Sequence, residues 1–257
     1  MSAWIFLRGL MRESRHWGSF PELFRERHCP DHIVLPDLPG NGHLHRMTSP
    51  ARINLMVDYY RSIASRMHID PPYYLLGLSM GAMVAVSWAH RFPSELGGCV
   101  LLNASLRPFS PFYHRLSWRN YAALWRLLRT ADIAERERQI LRLTSARPEL
   151  CARIADTWIA YQREHPVRRR NGLLQLAAAA RFRAPPHRPD VPVLVLSSKG
   201  DRLVNPACSM RLAEAWETEA AIHPDAGHDL PLDDGQWVVR QVEAWLGAAD
   251  SAGRARA

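Results

Sequence analysis

The residues most clearly arranged for chemistry lie in Leu75-Leu76-Gly77-Leu78-Ser79-Met80-Gly81, where an apolar run enters Gly-x-Ser-x-Gly and leaves as a helix of small residues. Such a passage forces the chain to reverse at Ser79 and projects its hydroxyl, with glycines where a Cβ would meet a neighbouring strand or helix. The helix start behind the serine offers unpaired N–H groups to a developing oxyanion. Serine is a weak nucleophile and needs a positioned base. Of twelve histidines, His228 stands out because it follows an apolar strand, in Asp225-Ala-Gly-His228-Asp229. Asp201, in Gly200-Asp201-Arg-Leu-Val204, follows another. In a parallel sheet the C-terminal ends of the strands share one edge, so Ser79, Asp201 and His228 can converge there. Each alone has an ordinary reading: a serine in a tight turn, an aspartate capping a turn, a loop histidine.

The elements that must position them are short apolar strands at 4–7, 33–35, 73–76, 99–102, 192–197 and 220–222, with helices between them. Helical spacing is clear at 20–28, 53–67, 80–90 and 238–246, and Ser49-Pro50 reads as the start of the second of these. This rhythm predicts an α/β domain, a mostly parallel sheet covered on both faces. Residues 107–184 break it with helical stretches at 121–128, 133–143 and 150–161 and a proline-rich close. The expected organisation is a core of 1–106 and 185–250, a helical insertion over 107–184, and a disordered tail at 251–257.

A chain of 257 residues with 47% apolar content buries a core without a staple. Cys29, Cys99, Cys151 and Cys208 form no C-x-x-C pair, which fits a reducing compartment. No apolar run approaches the ~20 residues of a membrane helix, and Arg8 interrupts the apolar start, so a cytoplasmic protein is expected. The net charge is +8, and residues 107–183 hold 16 arginines against six acids. Such a surplus can attract an acidic acyl carrier or an anionic membrane surface, although solvated arginines are its ordinary meaning. No motif or aromatic platform accompanies Arg168-Arg-Arg170, so nucleic acid is not expected. His16, His43 and His45 lack a carboxylate or cysteine to complete a metal site. Arg12 and Glu13 read as a local pair. Arg8, His16, Trp17, Phe112 and Trp125 are candidate substrate contacts, and Phe109, Phe112, Tyr113, Trp118, Trp125 and Trp158 read as the core of the insertion.

Taken together, Gly77–Gly81, the Asp37-Leu-Pro-Gly-Asn-Gly42 loop, the Asp201 loop and Gly227-His228 make the chain resemble the α/β-hydrolase superfamily over nearly its full length. The resemblance implies that 107–184 is a cap over an active site. It also implies an oxyanion hole from the N–H groups of Leu10 and Met80. Two departures stand out: Arg8-Gly9 replaces the usual His-Gly pair, and the chain begins at what would be the family's third strand. The expected chemistry is hydrolysis of a carboxylic ester through an acyl-enzyme, without cofactor. Serine at the nucleophile position argues against dehalogenase and epoxide hydrolase chemistry. Thioesters, carrier-bound acyl esters, C–C bonds and acyl transfer use the same residues and stay open, as does a non-catalytic binding module on this fold.

Overall fold

The computed structural model describes residues 3–254, apart from the side chains of Trp118, Leu128 and 249–254. Six strands, β1 (Ala3–Leu7), β2 (His32–Val34), β3 (Tyr73–Leu78), β4 (Leu96–Leu102), β5 (Val193–Ser198) and β6 (Glu219–His223), pair in parallel in the order β2-β1-β3-β4-β5-β6. The helices are α1 (Phe20–His28), α2 (Ile53–Arg66), α3 (Met80–Arg91), α4 (Phe112–Arg115), α5 (Tyr121–Arg129), α6 (Ile133–Thr144), α7 (Pro148–Glu164), α8 (Arg169–Arg181), α9 (Ala207–Ala215) and α10 (Leu230–Arg254).

Strand side chains alternate between faces, and both faces here are apolar. Ile5, Leu7, Leu75, Leu101 and Val195 pack with α2, α3 and α9. Trp4, Phe6, Leu76, Val100 and Leu196 pack with α1 and α10. That double burial explains why the strands read as continuous apolar runs. After β1 the chain moves to β2 on one side and then crosses to β3 on the other, so β1 and β3 flank the point where strand order reverses. Ligands of open parallel sheets bind beyond the C-terminal ends of the strands at such a point.

Helices α4–α8 lie between β4 and β5. Their neck is an isolated bridge between Arg107 and Arg183, with Ala184 N–H donating to Arg107 O at 2.8 Å. A small core of Ala134, Leu141, Ala155, Trp158 and Ile159 joins α6 to α7. Of the described aromatics expected in that core, only Trp158 is in it. Phe109 packs edge-on to Trp216 of the main domain. Phe112 and Tyr113 of α4 are exposed, and so is Trp125, because Leu124 and Leu127 take the inward face of α5. The side chain of Trp118 lies outside the described residues.

Ser49 does not cap α2, whose N-cap is Arg52. Its hydroxyl instead donates to Pro39 O at 2.6 Å and accepts from Gln175 Nε2 at 2.9 Å, which holds the chain back from helix until Ile53. Helix α9 has no clear signature in the sequence. Helix α10 breaks at Asp234, whose carboxylate accepts from Trp237 N–H. It continues to Arg254, within the tail expected to be disordered, and residues 255–257 lie outside the described part.

Gln175 on α8 is fully buried and ties the inserted helices to the main domain. Its Oε1 accepts from Met11 N–H at 2.8 Å, and its Nε2 donates to Asn41 Oδ1 at 2.7 Å as well as to Ser49. Gln175→Ala leaves these buried groups without partners, so urea unfolding should show a loss of roughly 2–4 kcal/mol. A change within about 0.5 kcal/mol, typical of surface positions, would contradict this role.

Candidate functional site

The reversal after β3 is compressed into one residue. Ser79 N–H still donates to Leu102 O at 3.0 Å, as a strand residue does, while Ser79 O already accepts from Ala82 N–H at 3.0 Å as a helix N-cap. The outcome is a backbone at φ 57°, ψ −111°, which costs a non-glycine residue roughly 1–3 kcal/mol. Gly77 and Gly81 permit it. A Cβ on Gly77 would stand 2.5 Å from Gly81 O, and one on Gly81 would collide with Leu7 O. Because α3 passes this close to β1, the loop after β1 lies against the serine, and a Cβ on Gly9 would touch Ser79 Cβ at 3.5 Å.

Met80 is the first residue of α3, and its N–H precedes the first helical hydrogen bonds, which return to Ser79 O. Leu10 follows Gly9 on the facing loop. That loop is fixed from below by the Asp37–Gly42 segment: Asn41 Nδ2 donates to Arg12 O at 2.8 Å, and Asp37 accepts from Ser14 N–H at 2.7 Å and His43 N–H at 3.0 Å.

Asp201 and His228 meet at the same edge. Asp201 Oδ1 accepts from the N–H groups of Leu203 and Val204 at 2.8 and 2.9 Å, and Oδ2 accepts from His228 Nδ1 at 2.7 Å. With its proton held at Nδ1, the imidazole presents Nε2 as an acceptor. Burial opposes charging of this ring. The carboxylate of Asp201 outweighs burial through its charge and hydrogen bond, Asp229 adds to it, and the His228 pKa rises above the usual value near 6.5.

Two residues that carry no motif signal complete the support. Asn103, directly after β4 at φ 45° and almost fully buried, donates to His228 O at 2.8 Å and accepts from Ser198 N–H at 3.0 Å. It thus ties the end of β5 to the histidine loop. Asp229 forms a buried bidentate pair with Arg8, at 2.6 and 3.2 Å. Arg8 also lies 4.6 Å from the Trp17 ring centre. The arginine that replaces a histidine before Gly9 therefore joins the Leu10 loop to the His228 loop. Asn103 was detectable as a polar residue ending a buried strand, and Asp229 by adjacency to His228; the pairing of Asp229 with Arg8, 221 positions apart, was not.

Ser79 and His228 line one cavity of about 230 Å³, along with Arg8, Leu10 and Asp229. A larger, more open space of about 890 Å³ also reaches Ser79 and Leu10 and is bounded by Met80 and Phe112. Among the candidate substrate contacts, Arg8 borders the first space and Phe112 the second. His16, Trp17 and Trp125 border neither. His16 is buried edge-on to Trp158 and Tyr161 with Nδ1 accepting from Glu13 N–H. Burial, with Arg12 and Arg8 nearby, pushes its pKa well below the usual value and keeps it neutral. Trp17 is packed beneath Arg8 against Phe6 and Phe20. Arg12 pairs with Glu137 of α6 at 2.5 Å rather than with Glu13, which takes Arg15. His43 and His45 both pack against His165.

The model of the alpha/beta hydrolase family matches residues 4–241, and the chain belongs to that family. Solved structures similar to it include a thermophilic esterase from Thermogutta terrifontis (22% identity, TM-score 0.69, covering 96% of this chain and 90% of that one). Others are the esterase RhEst1 from Rhodococcus sp. ECU1013 (17%, 0.75, 96% and 90%) and a hydrolase from Pseudomonas aeruginosa PA01 (19%, 0.74, 96% and 90%). No curated protein matches the sequence. Among the described residues no helix is long and apolar enough to cross a membrane.

Removing one member of a buried ion pair strands the other. Asp229→Ala should therefore cost about 3–5 kcal/mol in urea unfolding, while Arg8→Met with Asp229→Leu should recover most of that loss. Additive losses in the double variant would mean that the two side chains do not act as a pair.

Proposed function

We propose that this family member is a serine hydrolase that cleaves a carboxylic ester through an acyl-enzyme. The observation that carries this reading is that Ser79, on its strained turn, and His228, held by Asp201 at 2.7 Å, border the same cavity. In this scheme His228 Nε2 takes the proton as Ser79 Oγ attacks the carbonyl carbon, and Asp201 stabilises the imidazolium that forms. The N–H groups of Leu10 and Met80 hold the tetrahedral oxyanion. His228 then returns the proton to the departing alcohol and activates water, which releases the acid and restores Ser79.

A fluorophosphonate probe reports the nucleophile independently of substrate choice. Wild-type protein should label and Ser79→Ala should not; equal labelling would end this reading. A panel of esters and thioesters, with and without an added alcohol acceptor, then defines the acyl partner.

The base must be neutral to accept the serine proton. Because the His228 pKa is raised, kcat/KM should fall with decreasing pH through a value above the ordinary ~6.5. Asp201→Asn removes the chief cause of that rise, so the acidic limb should move to lower pH and kcat should drop about 10⁴-fold. An unmoved limb in Asp201→Asn would assign the titration to another group.

A further inference from the structure

We propose that the cavity beside Ser79 receives a substrate that ends in an anionic oxygen group, recognised by Arg136 and Arg169; this rests on the ester hydrolase reading and names its substrate class. The cavity walls are largely apolar, with Leu10, Leu78, Leu143 and Leu173 among them, but the charges on them are unbalanced. Arg8 is matched by Asp229, and Arg12 by Glu137 at 2.5 Å. Arg136 and Arg169 also border the cavity, yet neither has a side-chain hydrogen bond or ion pair among the described residues. Arg12 is itself more than nine-tenths buried, and its Nη2 has no hydrogen-bond partner.

The electrostatic surroundings point the same way. Burial lowers the pKa of Arg136, Glu137 offsets this in part, and Arg169 adds repulsion. Two guanidinium groups close enough to repel, Arg136 half-buried and Arg169 exposed at the rim, thus border one apolar-walled space. Helix α8 begins at Arg169 with no side-chain cap and no acid in its first turn. Its positive end therefore lacks the negative partner that helix starts favour. A carboxylate or phosphate between Arg136 and Arg169 would relieve the repulsion and take charge-assisted, bidentate hydrogen bonds. The space of about 230 Å³ equals about eight water-sized groups. That accommodates a short chain and one terminal anion, with the ester at Ser79.

Three pairs of esters test this at low ionic strength. Monomethyl adipate against methyl hexanoate puts the anion on the acyl side. 4-Acetoxybutyrate against butyl acetate puts it on the alcohol side, and 3-acetoxypropyl phosphate against propyl acetate replaces carboxylate by phosphate. At least one charged ester should exceed its neutral partner about tenfold in kcat/KM, and the pair that does so identifies the side and the anion. The ratio should fall toward unity in Arg136→Gln and Arg169→Gln. It should persist in Arg138→Gln, which removes an exposed charge from the same helix. Charged esters no better than neutral ones in all three pairs, or a preference unaffected by both substitutions, would overturn the proposal. Calorimetry of Ser79→Ala with monomethyl adipate and methyl hexanoate, 3-acetoxypropyl phosphate and propyl acetate, and 4-acetoxybutyrate and butyl acetate reads binding without turnover. Failure of fluorophosphonate labelling with a surviving binding preference would remove the hydrolase reading and leave the anion site. Labelling without any binding preference would do the reverse.

Discussion

The geometry of the site depends on how closely α3 approaches β1. Gly81 faces the Leu7 carbonyl so tightly that no side chain fits between them. This contact holds the helix that follows Ser79 against the strand that precedes Gly9 and Leu10. The Ser79 turn and the facing loop are therefore positioned by one backbone contact at the point where strand order reverses. The strain stored at Ser79 persists because both sides of the turn are over-determined: its N–H is kept in the sheet and its carbonyl in the helix. A larger residue at position 81 would do more than crowd the helix. It would separate the loop after β1 from the turn at Ser79.

Polar side chains then bind the loops to one another. Asn103 joins β5 to the histidine loop, Arg8 joins that loop to the one after β1, and Gln175 joins the latter to α8. Asp233 accepts from Gly227 N–H and Ala146 N–H, both at 2.7 Å, so the segment after α6 is held against the same histidine loop. These connections make the inserted helices part of the site. Through them α8 and the segment after α6 are tied to the loops on which Leu10 and His228 sit.

The sheet was legible because its inner strands β1, β3, β4 and β5 are buried on both faces and write apolar runs with little polar interruption, whereas the half-exposed edge strands β2 and β6 write short ones. The Ser79, Asp201 and His228 loops were legible because they follow such runs at their C-terminal ends. What was illegible has a common cause. The pairs Arg8–Asp229 and Arg12–Glu137 join residues 221 and 125 positions apart, and no local pattern encodes them. The polarity of α5 was misread for a related reason: Leu124 and Leu127, not the larger Trp125, turn inward, and residue size does not reveal which face of a short helix meets the core. Ser49 carried a valid helix-start signal, but a buried glutamine from α8 competes for its hydroxyl.

The buried ion pairs are costly devices for stability alone, since desolvating two charges offsets much of their attraction and apolar replacements often serve as well. Their placement gives them another use. Arg8–Asp229 spans two loops that carry opposite halves of the proposed chemistry, and Arg12–Glu137 spans the main domain and α6. Each fixes a distance that apolar packing would leave adjustable. Arg136 differs in having no ion pair among the described residues, although it stands beside Glu137 on the same helix. Glu137 is hydrogen-bonded to Arg12, and toward Arg136 it acts through its charge. The helix that Arg12–Glu137 secures to the loop after β1 thus also carries Arg136 to the cavity wall, where, in the proposed reading, it selects the charge of what enters.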